Sequence, residues 1–321
     1  MGMRFLITGG AGFIGSHLSE ELIEKGNSVI ALDDLSTGRM ENVSHLRKNP
    51  NFELVIGTIL NEYLLDKLVE KSDVIFHLAA AVGVELIVKK PLESLTTNIK
   101  GSENVLEMAY RYNKKILITS TSEIYGKNVN GPLKESDDRI LGSPQKTRWG
   151  YSTAKAVDEM LAHVYWKEKG VPSIIVRLFN TVGPRQTGAY GMVMPRFVSQ
   201  ALNNESITVY GSGKQTRCFL HVKDAVSAII KLINKPEAVG EVFNIGSQEE
   251  ISIESLAKEI IKMTTSKSKI EYIAYDKAYE EGFEDMQRRV PDITKINKLI
   301  GFQPSFSLQE IIKDIIKHIK K

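Results

Sequence analysis

The chain has 321 residues, a formal net charge of +3 and a single cysteine, with 42% hydrophobic and 25% charged residues. This composition is ordinary for a globular protein with a substantial core, and the near-balanced charge gives no reason to expect a nucleic-acid partner. The lone Cys218 excludes an internal disulfide and a cysteine-based zinc site, and no His-Cys-carboxylate cluster suggests another metal.

The start of the chain carries no recognisable targeting signal. It runs almost directly into "RFLITGG", without a basic region, a long apolar region or a cleavage site. No apolar run reaches the ~18 residues of a spanning helix. We therefore expect a cytoplasmic protein that has no membrane partner.

The first half of the chain alternates apolar strands with amphipathic helices. This alternation predicts a parallel sheet that is covered by helices on both faces. The predicted strands are 3–8, 28–34, 74–80, 115–120 and 173–180. The predicted helices are 13–26, 61–72, 94–113 and 152–170.

The pattern changes after Gly183 and Pro184. A loop precedes a predicted helix at 194–204 and a strand at 207–211, and a second loop follows. The helix at 224–235 and the strand at 241–246 extend the first domain. The remainder is mainly helical, with a strand at 269–274 and a terminal helix whose isoleucines share one face.

We therefore predict an α/β fold, a Rossmann doubly wound parallel sheet with a smaller C-terminal α/β lobe that binds the substrate. The nucleotide-binding Rossmann domain takes residues 1–184 and 217–250. The second lobe takes residues 185–216 and 251–321.

The segment "TGGAGFIG" has the spacing of a dinucleotide-binding loop. Gly9, Gly12 and Gly15 follow the first strand and open the first helix, where a tight turn and free N–H groups suit a pyrophosphate. Asp33 ends the second strand, and its carboxylate can accept from a ribose 2′-hydroxyl while repelling a 2′-phosphate. The coincidence of loop, strand, helix and acid predicts NAD as the cofactor.

The segment "YSTAK" places Tyr151 and Lys155 four residues apart on one helix face. A phenol is a poor base at neutral pH, but a nearby ammonium group favours the phenolate. Tyr151 could then take the proton of a sugar hydroxyl while hydride leaves the carbon. The presence of Thr121 and of the dinucleotide-binding loop supports a catalytic role for this pair.

These motifs together resemble an extended short-chain dehydrogenase/reductase of the nucleotide-sugar-modifying kind. The resemblance covers essentially the whole chain, through "TGGAGFIG", "DDLSTG", "HLAA", "STSEIYG", "YSTAK", "RLFNTVGPR", "VYGSGKQTR" and "RRVPD" in the family's order. It implies that Thr121 bonds the reacting oxygen, that Tyr151 is the base, and that Lys155 holds the ribose and tunes Tyr151. Asn98 would support the helix beside them.

The resemblance also implies further binding residues. The dinucleotide would contact Gly9, Gly12, Phe13, Ile14, Gly15, Asp33, Asp34, Ser36, Thr37, Gly38, Leu78, Ala79, Ala80, Asn98, Tyr151 and Lys155. The nucleotide sugar, expected to be a UDP-sugar with a dTDP- or GDP-sugar left open, would contact Asn180, Arg185, Val193, Val209, Tyr210, Arg217 and Arg289. Thr58 stands where relatives often carry an aspartate that contacts adenine, which is a departure from the pattern.

The pair Ser122-Glu123 bears on the choice of reaction. The resemblance implies that oxidation at sugar C4 acidifies C5, and that Thr121, Ser122 and Glu123 join Tyr151 and Lys155 as catalytic residues. Plain 4-epimerases usually lack the acid, and 4,6-dehydratases usually carry Asp-Glu. A glutamate without that aspartate indicates C5 proton chemistry without a dedicated acid for expelling a C6 hydroxyl.

Several reactions fit this pattern. The favoured one is C5 epimerisation or reduction, for example on a UDP-N-acetyl-hexosamine derivative in surface or flagellar glycan synthesis. A UDP-glucuronate decarboxylase of the UDP-xylose synthase kind shares Ser-Glu, but the loop "AVGVELIVKKP" and the segment "RWGYSTAK" depart from that group. The motifs also leave open a UDP-hexose 4-epimerase and a non-catalytic NAD sensor. The resemblance further implies a homodimer through a four-helix contact.

Overall fold

The centre of the protein is a parallel sheet of seven strands. These strands are β1 Arg4–Thr8, β2 Ser28–Asp33, β3 Phe52–Ile56, β4 Val74–His77, β5 Lys115–Thr121, β6 Ser173–Leu178 and β11 Val242–Ile245. Their order across the sheet is β3-β2-β1-β4-β5-β6-β11. The computed structural model describes residues 2–81, 90–188, 192–275 and 286–320, so most of the loop "AVGVELIVKKP" lies outside the described residues.

Helices connect these strands. They are α1 Phe13–Glu24, α2 Glu62–Glu70, α3 Pro91–Arg111, α4 Gly150–Lys169, α5 Val193–Leu202, α6 Val222–Ile233, α7 Ile253–Thr264, α8 Thr294–Ile300 and α9 Leu308–Ile319. Among the described residues, none of these helices combines the length and apolarity needed to cross a membrane.

The sheet is covered on both faces, as the apolar strands predict. Phe5 and Ile7 of β1 belong to an apolar cluster with α1 and α6, whereas Leu6 between them belongs to a second cluster with α2, α3 and α4. Successive side chains of a strand point to opposite faces, so one continuous apolar strand fills both layers. The predicted doubly wound α/β fold is confirmed.

A third apolar cluster lies outside the sheet. Its helices are α5, α7 and α9, and its strands include β8 Ile207–Tyr210 and β13 Ile270–Ile273, which pair in parallel. The isoleucines of α9 pack into this cluster, as the predicted one-sided face requires. Helix α8 and Phe302 instead pack against the sheet, although they fall within the predicted second lobe.

The structure contains strands that the sequence pattern did not predict. β3 forms the edge of the large sheet, beside β2. Short strand pairs also link the segments around the sheet's end: β7 Thr181–Val182 pairs with β10 Leu220–His221, and β9 Thr216–Cys218 pairs with β12 Glu250–Ser252. Two- and three-residue strands carry no periodicity to detect.

A buried polar network ties α4 to the end of the sheet. Arg177 on β6 makes two hydrogen bonds to the carboxylate of Glu159, at 2.9 and 2.7 Å, and donates to Tyr125 Oη at 2.8 Å. Tyr125 in turn donates to Asn244 Oδ1 at 2.7 Å. Because bidentate charged hydrogen bonds fix geometry, the network holds α4 in register with β6 and β11.

The Arg177–Glu159 pair gives a test of this packing. The two side chains are only 9% and 10% exposed, so Glu159→Ala leaves a guanidinium group without its counter-charge in the core. We expect the free energy of unfolding to fall by about 3–5 kcal/mol, measured by urea denaturation. Glu21→Ala breaks an exposed helical pair with Lys25, 51% and 41% exposed, and serves as the matched control with little expected effect. Equal losses in the two variants would contradict the role of the network.

Candidate active site

A cavity of about 800 Å³ opens at the carboxyl ends of the parallel strands. It lies where the strand order reverses between β1 and β4, the usual position of ligands in open α/β sheets. Most of the residues predicted from the sequence line it: Gly9, Gly12, Phe13, Ile14, Gly15, Asp33, Asp34, Ser36, Thr37, Leu78, Ala79, Ala80, Thr121, Ser122, Glu123, Tyr151, Lys155, Asn180, Arg185, Val193, Tyr210, Arg217 and Arg289.

Three predicted site residues do not line this cavity. Val209 is fully buried in the third apolar cluster, because side chains alternate along β8 and its neighbour Tyr210 takes the cavity face. Asn98 is buried and bonds the backbone of Ala81 twice, accepting from its N–H at 2.8 Å and donating to its carbonyl at 3.2 Å. Gly38 lies against the carboxylate of Asp33. Asn98 and Gly38 therefore support residues that line the cavity, Ala81 and Asp33, without lining it themselves.

The glycine loop is built for close approach. Gly9 has a φ of +73°, and a Cβ added at Gly15 would lie 2.2 Å from the Gly9 carbonyl oxygen. Gly12 precedes the first turn of α1, and no side chain caps that end of the helix. The N–H groups of the first turn are therefore available to a phosphate, together with the positive end of the helix dipole.

Asp33 ends β2 beside this loop and is 7% exposed. Its carboxylate accepts from the N–H groups of Ala11 at 2.9 Å and Leu35 at 2.8 Å, so it is fixed in orientation. Burial raises the pKa of Asp33, while these hydrogen bonds lower it in part. The carboxylate lines the cavity beside the glycine loop, where a ribose would lie. The loop and the acid together fit a dinucleotide.

Thr121 and Tyr151 meet at the far end of the cavity from different elements. Tyr151 lies in the first turn of α4 and bonds Thr121, the last residue of β5. Burial raises the pKa of Tyr151, the charges of Glu123 and Asp158 raise it further, and only the Thr121 hydrogen bond lowers it. A cation in the bound ligand would be needed to bring the phenol into use near neutral pH.

Glu123 faces the same end of the cavity and is held by two arginines. Its carboxylate lies 2.5 Å from Arg148 Nη1 and 2.8 Å from Arg289 Nη1, and Arg289 also donates to Ser122 Oγ at 3.1 Å. Burial alone would raise the pKa of Glu123, but Arg148 and Arg289 outweigh it and lower that pKa to about 2. Glu123 is thus an ionised carboxylate near neutral pH.

Arg148 was not predicted from the sequence, although it stands three residues before Tyr151. A short 3₁₀ helix, Thr147–Trp149, turns its side chain inward, where it is 7% exposed. Arg196 was also missed; it lines the cavity and lies over the ring of Tyr210, with its guanidinium carbon 4.3 Å from the ring centroid. The motifs assign no role to either residue, so only the fold shows that both reach the site.

Arginines are frequent among the described residues that line the cavity. Six of them line it: Arg39, Arg148, Arg185, Arg196, Arg217 and Arg289. Arg185 pairs with Glu20 on α1 at 2.6 Å, and Glu123 is the acid that faces Arg148 and Arg289. Arginines suit diphosphates and carboxylates because their planar fork donates two parallel hydrogen bonds. Arg148, Arg217 and Arg289 all act on the Glu123 carboxylate, and their meeting there predicts an anionic group of the ligand nearby.

No histidine is among the described residues that line the cavity. His77 is fully buried behind it, with its ring nitrogens 2.8 Å from Thr8 Oγ1 and 3.0 Å from Ser102 Oγ. Burial lowers the pKa of His77 to about 3, so the ring is neutral. Across the described ranges there is no group of three or more His, Cys, Asp or Glu residues arranged to hold a metal ion.

Comparison with known proteins gives a consistent family. Residues 6–315 match the family model described as GDP-mannose 4,6 dehydratase. The chain is 41% identical over 322 residues to a UDP-N-acetyl-alpha-D-glucosaminuronate decarboxylase of Bacillus cytotoxicus, covering 100% of this chain and 99% of that protein. It is 37% identical over 318 residues to UDP-glucuronic acid decarboxylase 1 of Xenopus tropicalis, covering 99% of this chain and 72% of that protein.

A solved structure agrees over the same length. UDP-glucuronic acid 4-epimerase from Bacillus cereus, crystallised with UDP-glucuronic acid and NAD, superposes with a TM-score of 0.90. The two chains are 29% identical and each is covered to 99%. The likeness therefore includes both the large sheet and the helices of the third apolar cluster.

The loop of Gly9, Gly12 and Gly15, here called the glycine cradle, gives a direct test of cofactor binding. Gly15→Ala places a methyl group against the Gly9 carbonyl, and we expect the affinity for NAD, measured by calorimetry, to fall roughly 10- to 100-fold. Gly150→Ala adds the same methyl group where the nearest atom, Leu95 Cδ2, is 3.9 Å away, and should bind NAD normally. Unchanged affinity in a folded Gly15→Ala protein would contradict the assignment of the cradle.

Proposed function

The chain belongs to the GDP-mannose 4,6-dehydratase family of extended short-chain dehydrogenases/reductases, and on that premise we propose that it decarboxylates a UDP-linked hexuronate. The broader prediction from the sequence, an NAD-dependent UDP-sugar-modifying enzyme, is confirmed by the family. The choice among reactions moves from C5 epimerisation or reduction, favoured by the motifs, to the decarboxylation that the motifs left open.

The cofactor is NAD, as predicted. The glycine cradle and Asp33 would hold its pyrophosphate and ribose, and the solved relative from Bacillus cereus carries NAD. When bound, NAD supplies the oxidation of the sugar at C4 and the later reduction at the same carbon. Lys155 and Tyr151 lie in the same cavity as the cradle.

The state of Glu123 carries the proposal. C5 epimerisation needs a base to remove the C5 proton, and an effective base has a pKa near the working pH. The pKa of Glu123 is about 2 because Arg148 and Arg289 hold its charge, so the carboxylate is a weak base. Decarboxylation needs no base at C5, because the C5–C6 bond breaks once C4 is a ketone. An ionised, doubly paired Glu123 is therefore compatible with loss of CO₂.

The residues divide the work between proton transfer and binding. Tyr151, bonded to Thr121, takes the proton of the C4 hydroxyl as C4 is oxidised. The carboxylate then lies β to a ketone and leaves as CO₂, and the electron pair passes into the C4–C5 enolate. C5 takes a proton that originates from solvent, and Tyr151 returns its proton to the C4 oxygen as C4 is reduced. During all of these steps Glu123 holds Arg148 and Arg289 at the sugar end, which is the end of the cavity beside Thr121 and Tyr151.

The charge of the cavity supports a uronate rather than a neutral sugar. Arg148, Arg217 and Arg289 all act on the carboxylate of Glu123, so three guanidinium groups meet at this end of the cavity, and such groups suit a diphosphate and a sugar carboxylate. We propose that the lobe of residues 185–216 and 251–321 holds the UDP moiety. As the substrate we propose the N-acetylated uronate, because the decarboxylase from Bacillus cytotoxicus is 41% identical to this chain and aligns with 100% of it.

The reaction is tested with a panel of substrates in D₂O. UDP-N-acetylglucosaminuronate, UDP-glucuronate and UDP-N-acetylglucosamine, the uronates labelled with ¹³C in the carboxyl group, are followed by NMR and by CO₂ capture. We expect labelled CO₂ and a product with one deuterium at C5. Deuterium at C5 with the carboxyl group retained would favour C5 epimerisation. A C4-inverted sugar without C5 deuterium would instead identify a 4-epimerase.

Tyr151→Phe is the matched control for this assay. The variant should lose turnover by about 10²–10⁴-fold while binding NAD as the wild type does, because only the transferable proton is removed. Full turnover in this variant would overturn the role of Tyr151. No turnover of any substrate by the wild type would favour a non-catalytic NAD sensor.

We also propose the homodimer that the sequence predicts. Helices α3 and α4 present apolar side chains to solvent: Leu92 is 78% exposed, Met160 66%, Val164 45% and Tyr110 44%. Met160 and Val164 are one helical turn apart, so they share a face. Exposed apolar side chains clustered on two neighbouring helices are typical of a subunit contact.

Light scattering tests the homodimer. The wild type should give about twice the chain mass of 35.9 kDa, and Met160→Glu combined with Val164→Lys should give the monomer mass. Tyr63→Glu changes a side chain that is 71% exposed on α2, outside these helices, and should leave the mass unchanged. A monomeric wild type at micromolar concentration would refute the homodimer.

A further inference from the structure

Helix α4 carries a third ionisable residue behind the Tyr-Lys pair. Tyr151, Lys155 and Asp158 are spaced by four and three residues, so they form one stripe along the helix. Lys155 is 2% exposed and Asp158 is fully buried. The ammonium of Lys155 donates to Asp158 Oδ2 at 3.0 Å.

This carboxylate is costly to bury. Removing an ion pair from water costs several kcal/mol per ion, and attraction repays this only with good geometry and further hydrogen bonds. Asp158 Oδ1 has no hydrogen-bond partner in the described part of the chain. Its neighbour Glu159, in contrast, is satisfied by the bidentate contact with Arg177. Packing alone therefore gives no account of the charge at Asp158.

Among the described residues, Lys155 is the cation that forms an ion pair with Asp158. His77 on β4 faces the lysine and is neutral, since its pKa is lowered to about 3. From α3, Ser102 Oγ lies 3.0 Å from His77 Nε2, and Asn98 bonds the backbone of Ala81; both side chains are neutral. On the other side of Tyr151, β5 contributes the Thr121 hydroxyl and the following turn contributes Glu123, whose charge is held by Arg148 and Arg289.

We propose that Asp158 is a positioning residue that acts through Lys155: it fixes the ammonium and cancels part of its charge, and so sets the pH range in which Tyr151 accepts a proton. The proposal rests on the proposed function only in that Tyr151 is the base. The motif "YSTAK" ends at Lys155, and the mechanism described above makes no use of Asp158.

The physical consequence has a definite sign. An isolated ammonium near Tyr151 would favour the phenolate, whereas an ammonium paired at 3.0 Å with a carboxylate acts as a dipole of little net effect. Asp158 also raises the pKa of Tyr151 by its own charge. One ammonium hydrogen is used by Asp158, which leaves two for the hydroxyl groups of a ribose. The pair thus orients Lys155 and limits its help to Tyr151.

Asp158→Asn tests the proposal, since the amide keeps the shape and removes the charge. In the NAD-bound protein labelled with ¹³C at tyrosine Cζ, and with the Tyr151 signal assigned from Tyr151→Phe, the Tyr151 pKa should fall by about one unit. The acidic limb of the kcat/KM profile should move to lower pH by a similar amount. The NMR titration needs no turnover, so it stands even if the proposed reaction is wrong.

A second pair of variants completes a cycle. Lys155→Met leaves the carboxylate alone beside Tyr151 and should raise the Tyr151 pKa. Lys155→Met combined with Asp158→Asn removes both charges and should return that pKa close to the wild-type value, even if Asp158→Asn alone folds poorly. Asp66→Asn, in the exposed pair with Arg111, is the matched control and should change neither readout.

The outcomes are distinct. A lower Tyr151 pKa in Asp158→Asn, or a double variant that matches the wild type while Lys155→Met does not, supports the proposal. Tyr151 titrations that agree in all folded variants would overturn it, and Asp158 would then serve only the stability of the core. Altered thermal stability with an unmoved kcat/KM profile would lead to the same conclusion.

Discussion

The pairing of Glu123 with Arg148 and Arg289 is the interaction on which the site depends. It joins the end of β5, the turn before α4 and the segment that follows residue 285, which lie far apart in the chain. A largely buried carboxylate and two buried arginines stabilise one another, because each has lost hydration that its partners replace. The same pairing keeps Glu123 ionised and weakens it as a base, which is why it bears on the reaction.

The rest of the fold supplies the frame for this pairing. The network of Arg177, Glu159, Tyr125 and Asn244 anchors the stretch after β5 and the middle of α4 to β6 and β11. Backbone hydrogen bonds extend it to the Arg289 segment, since Leu133 donates to Val290 at 2.8 Å and accepts from Asp292 at 2.8 Å. Tyr151, Glu123 and Arg289 therefore sit on parts of one rigid assembly, which catalysis by positioned groups requires.

The two ends of the cavity do different things. At the glycine cradle, backbone without side chains allows a dinucleotide to approach closely, and the fixed carboxylate of Asp33 provides a directed hydrogen-bond acceptor. At the sugar end, arginine side chains define a place for negative charge. Helix α4 spans the boundary, and its stripe of Tyr151, Lys155 and Asp158 places two buried charges behind the phenol that we propose as the base.

The sequence by itself determined the parallel sheet, the dinucleotide loop and the Tyr-Lys pair, because each depends on residues close together in the chain. Strand and helix periodicity, glycine spacing and a four-residue separation are local properties that survive without coordinates. It could not locate the short strands, or separate Val209 from Tyr210, because a two-residue strand has no period and the face of a strand is set by its neighbours. Only the tertiary structure brought Arg148 to Glu123 and buried Asp158 with Lys155, since the energy of a charge depends on what surrounds it in space rather than on what adjoins it in sequence.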